Sequence, residues 1–135
     1  MAGSDKTRLG LFLLRISIAL VLFVWTLDKF VNPQHAISVY AHFYFISGIS
    51  APIMYIIGGL EMALIACFVL GLREIIGYLL VVISHGVSTV SSIKQYLNPF
   101  ADANLLFFAA IPMLAGCYLL YLMRHTDTMF SMNIR

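Results

Sequence analysis

Glu61 and His85 each sit near the middle of a long apolar run, and ionisable groups so placed need a partner or a task. A lone carboxylate in hydrocarbon takes up a proton, whereas beside an imidazole the two share one and titrate as a coupled pair. By the helical rise, Glu61 lies ~14 Å from the outer end of its run and His85 ~15 Å from the inner end of the next. Both depths reach a bilayer midplane, so the expectation is a Glu61–His85 pair that handles a proton or orients a ligand. The alternative is an interhelical hydrogen bond that only fixes packing. Tyr78, His85, Ser88 or Thr89, Ser92 and Tyr96 recur at helical spacing, a polar stripe that should face protein or water.

Two cations flank this centre. Arg15 is only ~9 Å from the inner end of its run, so its guanidinium either snorkels to the headgroups or turns inward toward Glu61. Arg15, Ala19, Leu22, Thr26 and Lys29 share one helical face, with Asp28 pointing elsewhere. Lys29, Asp28 and Trp25 stand where a membrane–water interface would fall. His35, His42, Lys94 and Asp102 lie at the same end and could form the mouth of a pocket running past Ser92, Thr89 and Ser88 to His85. No metal or haem site is expected, because His85 has no second histidine at its depth and His35 and His42 have no Cys, Asp or Glu beside them. Cys67 and Cys117 stand singly in apolar runs, so neither a redox pair nor a metal cluster can be drawn.

The elements that must position these groups are apolar helices. Of 135 residues, 61% are hydrophobic and 10% charged, far below the roughly 25% charged of a soluble domain. The reading is an all-α integral membrane protein: a four-helix bundle in a single domain, with spans at residues 9–30, 52–72, 75–92 and 104–122. About 20 apolar residues cross a hydrocarbon core of ~30 Å. Asn32 and Pro33 should stop the first span and cap a short surface helix rich in aromatics between the first two spans. Gly59, Ala63, Cys67 and Gly71 recur every four residues, a ridge that lets another helix approach closely. Pro112 should kink the fourth span or free a carbonyl.

Residues 9–30 do not read as a secretory signal, since the run is too long, Arg15 interrupts it and no cleavage pattern follows. Lys6, Arg8, Arg73, Arg124 and Arg135 fall at one end of a four-span arrangement against Lys29 and Lys94 at the other, which predicts cytoplasmic termini. A net charge of +2, with the basic residues scattered, gives no footprint for nucleic acid. Any soluble catalytic unit would belong to another polypeptide.

Taken together, LLRISIALVLFVWTLDKFVNP, GGLEMALIACFVLGLRE and a histidine late in the third span make the chain resemble the DoxX-like family of small four-helix membrane proteins. Arg15, Lys29, Pro33, Gly59, Glu61, Gly71, His85 and Asn104 fall where that pattern has its characteristic residues. The chain departs from it at Trp25-Thr26-Leu27-Asp28, where many members carry a glycine. It departs again at AGCYLLYLMRH, where many have a glycine-rich helix end followed by an aspartate. The resemblance implies a bacterial inner-membrane protein, partner to other subunits in quinone-linked or redox-stress chemistry. In that reading Glu61 and His85 are catalytic, and Arg15, Lys29, His85, Ser88 and Thr89 hold a quinone. Two other functions compete: a non-catalytic anchor that docks another membrane chain, and a small proton-coupled carrier, for which a homo-oligomer would supply the missing symmetry.

Overall fold

A computed structural model describes residues 3–72 and 74–132. Its order is α1 (Gly3–Val31), α2 (Pro33–Phe43), α3 (Ala51–Leu70), α4 (Glu74–Ser91), α5 (Ile93–Leu97), a 3-10 segment (Asn104–Ala109) and α6 (Ala110–Leu122). Local chemistry sets these limits. The Asn32 side chain accepts from the His35 backbone N–H at 3.4 Å and Pro33 opens α2, as expected for a capped start. Gly71 ends α3 in the left-handed region at φ 66°, and the Leu72 N–H closes back on the Cys67 carbonyl at 2.9 Å.

Three helices, Gly3–Val31, Ala51–Leu70 and Asn104–Leu122, are long and apolar enough to cross a membrane, and Ile75–Ser91 is a shorter apolar helix. Pro112 does not kink a continuous fourth helix. The segment enters as a 3-10 turn and becomes α-helical at Ala110, which leaves Pro112 in the first turn of α6, where a missing N–H costs little.

Helices α1, α3, α4 and α6 pack in a ring, each against the next, and α2 lies across α1 and α3. The shared core is Leu11, Ile18, Ile65, Phe68, Val81, Cys117 and Leu120, with Tyr78 among them. The face read on α1 is the one that packs: Arg15, Ala19, Thr26 and Lys29 are all buried. On α4, Tyr78, His85 and Thr89 are buried as one stripe, which Ser92 continues just beyond the helix.

The small-residue ridge behaves otherwise. Gly59 and Ala63 are exposed, and a Cβ on Gly59 would meet nothing within 4 Å. The glycine that permits close approach is its neighbour Gly58, where a Cβ would come within 2.8 Å of the Phe30 ring and 3.4 Å of the Lys29 Cβ. Since Gly58 is level with Lys29, near the end of α1, α3 outruns α1 by roughly 7 Å at that end.

The chain beyond α6 folds back over the opposite end of the ring. The Met132 N–H bonds the Leu70 carbonyl at 2.8 Å, and the Phe130 and Phe12 rings lie 5.1 Å apart. Arg73 and Arg135, two of the basic residues used to orient the chain, lie outside the described residues.

Candidate functional site

Lys29, on the buried face of α1, reaches across to α3 and pairs with Glu61, Nζ to Oε2 at 2.9 Å. The same Oε2 accepts from the Thr26 hydroxyl at 3.0 Å, and Oε1 accepts from the Tyr40 hydroxyl of α2 at 3.2 Å. Lys29 also sits over the Tyr40 ring, 5.6 Å from its centroid. Burial, together with the neighbouring Glu61 carboxylate, pushes the Tyr40 hydroxyl above its ordinary range, so it remains a donor. Three elements thus converge on one carboxylate that is still 34% exposed.

That exposure opens into a cavity of about 1220 Å³ bounded by α1, α2, α3, α4 and α6. Its wall is largely aliphatic and aromatic, with Trp25, Tyr40, Phe43 and Phe107 among the rings. His85 also lines it, below the Trp25 indole at 6.0 Å between ring centroids. The His85 Nε2 lies 3.1 Å from the Ala110 carbonyl, which can only accept, so the ring carries its proton on Nε2 and Nδ1 is an acceptor. That Nδ1 is buried without a hydrogen-bond partner.

The expected Glu61–His85 pair does not form. Both residues line one cavity, but Glu61 is held by α1 and α2 and His85 by α6. Helices α3 and α4 meet farther in, where the Phe68 and Tyr78 rings stand 5.2 Å apart and Gly77 lies against Cys67 and Phe68. Depths counted from each helix's own end place two residues at one level without placing them on facing sides.

Arg15 is corrected more strongly. It neither snorkels nor turns to Glu61; it is fully buried, 2.9 Å from Asp127 Oδ2. It donates to the Tyr78 hydroxyl at 3.1 Å and to the Met129 carbonyl at 2.6 Å, and the Tyr78 hydroxyl donates to Asp127 at 2.7 Å. This cluster clamps the C-terminal segment to α1 and α4, away from the cavity. Sequence reasoning missed Asp127. The available signal was that a buried guanidinium needs an anion, and Asp127 follows the last helix at the end of the ring where Arg15 lies.

Of the remaining residues, Ser88 lines the cavity, whereas Thr89 does not and donates to the His85 carbonyl at 2.7 Å. At the mouth, His35 and Ser92 line the cavity, with His35 Nδ1 2.6 Å from Asp28. His42, Lys94 and Asp102 do not line it. His42 stacks edge-on with Phe43, and Lys94 covers the Phe45 ring. Comparison with protein-family models, curated proteins and solved structures finds no match to this chain.

Proposed function

We propose that the chain is a four-span membrane protein of the DoxX-like kind, seated in a bacterial inner membrane with both termini cytoplasmic. In this reading it is a subunit of a quinone-linked oxidoreductase. The observation that carries it is the cavity: about 1220 Å³, mainly apolar, with the Lys29–Glu61–Tyr40–Thr26 cluster, His85 and Ser88 among the few polar residues that line it. Ligand sites generally have this composition, an apolar body with a few placed polar groups. A quinone fits it, having a flat ring and apolar tail bounded by polar oxygens. Lys29, Glu61, His85 and Ser88 are the residues that hold it; Arg15 and Thr89 drop out of that set.

When bound, a quinone supplies two-electron, two-proton redox chemistry. The chain's own part is to hold the ring out of water, place the Lys29 ammonium near developing negative charge and exchange a proton at Glu61. Electrons come from a partner subunit. The test is purification in mild detergent, extraction of lipophilic cofactors, and quinone turnover by the intact complex with His85→Ala and Glu61→Gln variants that still assemble. Co-purified quinone and lost turnover are expected. A partner chain without quinone, and unchanged turnover in both variants, would replace this reading by the anchor, for which the outward-facing Gly59 and Ala63 offer a surface.

A further inference from the structure

The charged side chains on the cavity wall form two pairs that start from neighbouring positions of α1. Lys29–Glu61 lies inside, and Asp28–His35 lies at the mouth, where the His35 side chain is 60% and the Asp28 side chain 36% exposed. The outer pair is held from both sides, since Asp28 belongs to α1 and the His35 backbone N–H is bound by the Asn32 cap that starts α2. The Asp28 carboxylate accepts from the His35 Nδ1 at 2.6 Å, which leaves Nε2 to take or give a second proton. Imidazole is the side chain that does this near neutral pH, and a carboxylate on its other nitrogen sets the tautomer. The two ends of the cavity differ. At the floor, Ile18 and Ile65 line it and are themselves buried, packed with Phe68, Val81 and Leu120 in the core that also holds Tyr78 of the Arg15–Asp127 cluster. The segment after α6 covers that end so closely that a Cβ on Gly71 would clash with the Ser131 side chain. Water therefore reaches Glu61 from the mouth, past Asp28 and His35.

We infer that Asp28 and His35 are the proton port of the cavity: Glu61 exchanges protons with water only at the end of the bundle opposite the termini, and His35 carries them across the mouth. The inference rests on the quinone reading for the reaction and goes beyond it in naming the carrier and the side. Reduction of one quinone takes two electrons, delivered by the partner subunit, and two protons, and both protons enter at the His35 end. Each passes from water to His35 Nε2, on through water in the mouth to Glu61, and from Glu61 to a ring oxygen; oxidation runs the same path in reverse. A lipophilic ligand that fills the cavity displaces water from around Glu61, and the ionisable groups still in water are then the two at the mouth. A simpler account is that the pair only ties α2 to α1. An exposed ion pair does little for such a tie, and Asn32 with Pro33 already fixes the start of α2.

The experiment has two arms. In the first, full-length protein carrying Cys67→Ala, Cys117→Ala and one new cysteine on the cavity wall, Glu61→Cys or Ser88→Cys, is placed in liposomes of known orientation. A charged, membrane-impermeant thiol reagent is then added on one side or the other. Both cysteines are expected to react roughly tenfold or more faster from the side opposite the termini. Reaction as fast from the side of the termini, or none from either side, would overturn the one-sided port whatever the cavity binds. In the second arm, quinone turnover by the intact complex is compared with that of His35→Ala. Turnover is expected to fall roughly tenfold or more with quinone still co-purifying, and added imidazole is expected to restore most of it. A small base would not restore a lost tie between helices. Turnover unchanged in His35→Ala, or lost without rescue, would overturn the inference, and the quinone reading would stand if Glu61→Gln still loses turnover. Unchanged turnover in Glu61→Gln would overturn both.

Discussion

Among the described residues, two ion pairs extend from one buried face of α1, and they are built in opposite ways. Arg15–Asp127 is closed, with both side chains 0% exposed and an aromatic hydroxyl and a backbone carbonyl completing the cluster. Lys29–Glu61 is open: Lys29 is 10% and Glu61 34% exposed, and that exposure faces a cavity. Charge in an apolar setting must be paired in both places, because an uncompensated ion there is costly. Only the open pair has access to anything else. A charged residue within an apolar helix is therefore no guide to chemistry until its accessibility is known.

Breaking the closed pair should give the largest effect. Asp127→Ala strands the Arg15 guanidinium at a fully buried position, and removing one partner of a buried pair costs about 3–5 kcal/mol. Thermal unfolding in detergent should show a corresponding loss, with the segment after residue 122 newly open to protease. A change within error would mean that the clamp adds nothing to stability. In the open pair, Glu61→Gln keeps the shape and some of the hydrogen bonding, so a smaller loss of about 1 kcal/mol is expected. Equal losses at the two sites would erase the distinction between them.

That distinction was half legible in the sequence. Apolar runs broken by Asn32-Pro33 and Gly71 give the helices, because length and punctuation are local properties. The α1 face was legible too, since Arg15, Ala19, Thr26 and Lys29 follow the helical period. Their partners were not. Arg15 meets Asp127 across 112 positions, and no periodicity carries a contact of that range. Lys29 meets Glu61 because α3 outruns α1, an offset set by Gly58 against Phe30 rather than by either helix alone. The small-residue period pointed to Gly59, one position away on the outer face.

An effect of similar size is expected at Tyr40, which belongs to the open site but not to its charge. Tyr40→Phe should cost roughly 0.5–1.5 kcal/mol, the net worth of one hydrogen bond. The sign of its pH dependence follows from the raised pKa: the native hydroxyl stays protonated above the ordinary value near 10. Its contribution is complete below that value and is lost as pH rises through the native one. Wild type and Tyr40→Phe should thus differ by a constant amount from neutral pH to about 10 and converge only beyond it. A difference that already shrinks between pH 7 and 9 would place the hydroxyl in a wetter setting than the cavity wall.

The smallest expected effect is the coupling between Glu61 and His85. Both line one cavity, and a shared proton between them is the natural guess for a carboxylate and an imidazole at similar depth. Yet Glu61 already satisfies Lys29, Thr26 and Tyr40, and the His85 N–H is spent on Ala110, so neither depends on the other. Changes at sites without a shared partner add within about 0.3–0.5 kcal/mol. A double-mutant cycle of Glu61→Gln with His85→Ala should therefore close within that range, whereas Arg15→Met with Asp127→Ala should leave a coupling several times larger. Coupling above 1 kcal/mol between Glu61 and His85 in the empty protein would mean that the cavity draws the two residues together on its own. If coupling appears only when a quinone is added, the ligand is the link, and the open pair differs from the closed one because it is built to be completed by another molecule.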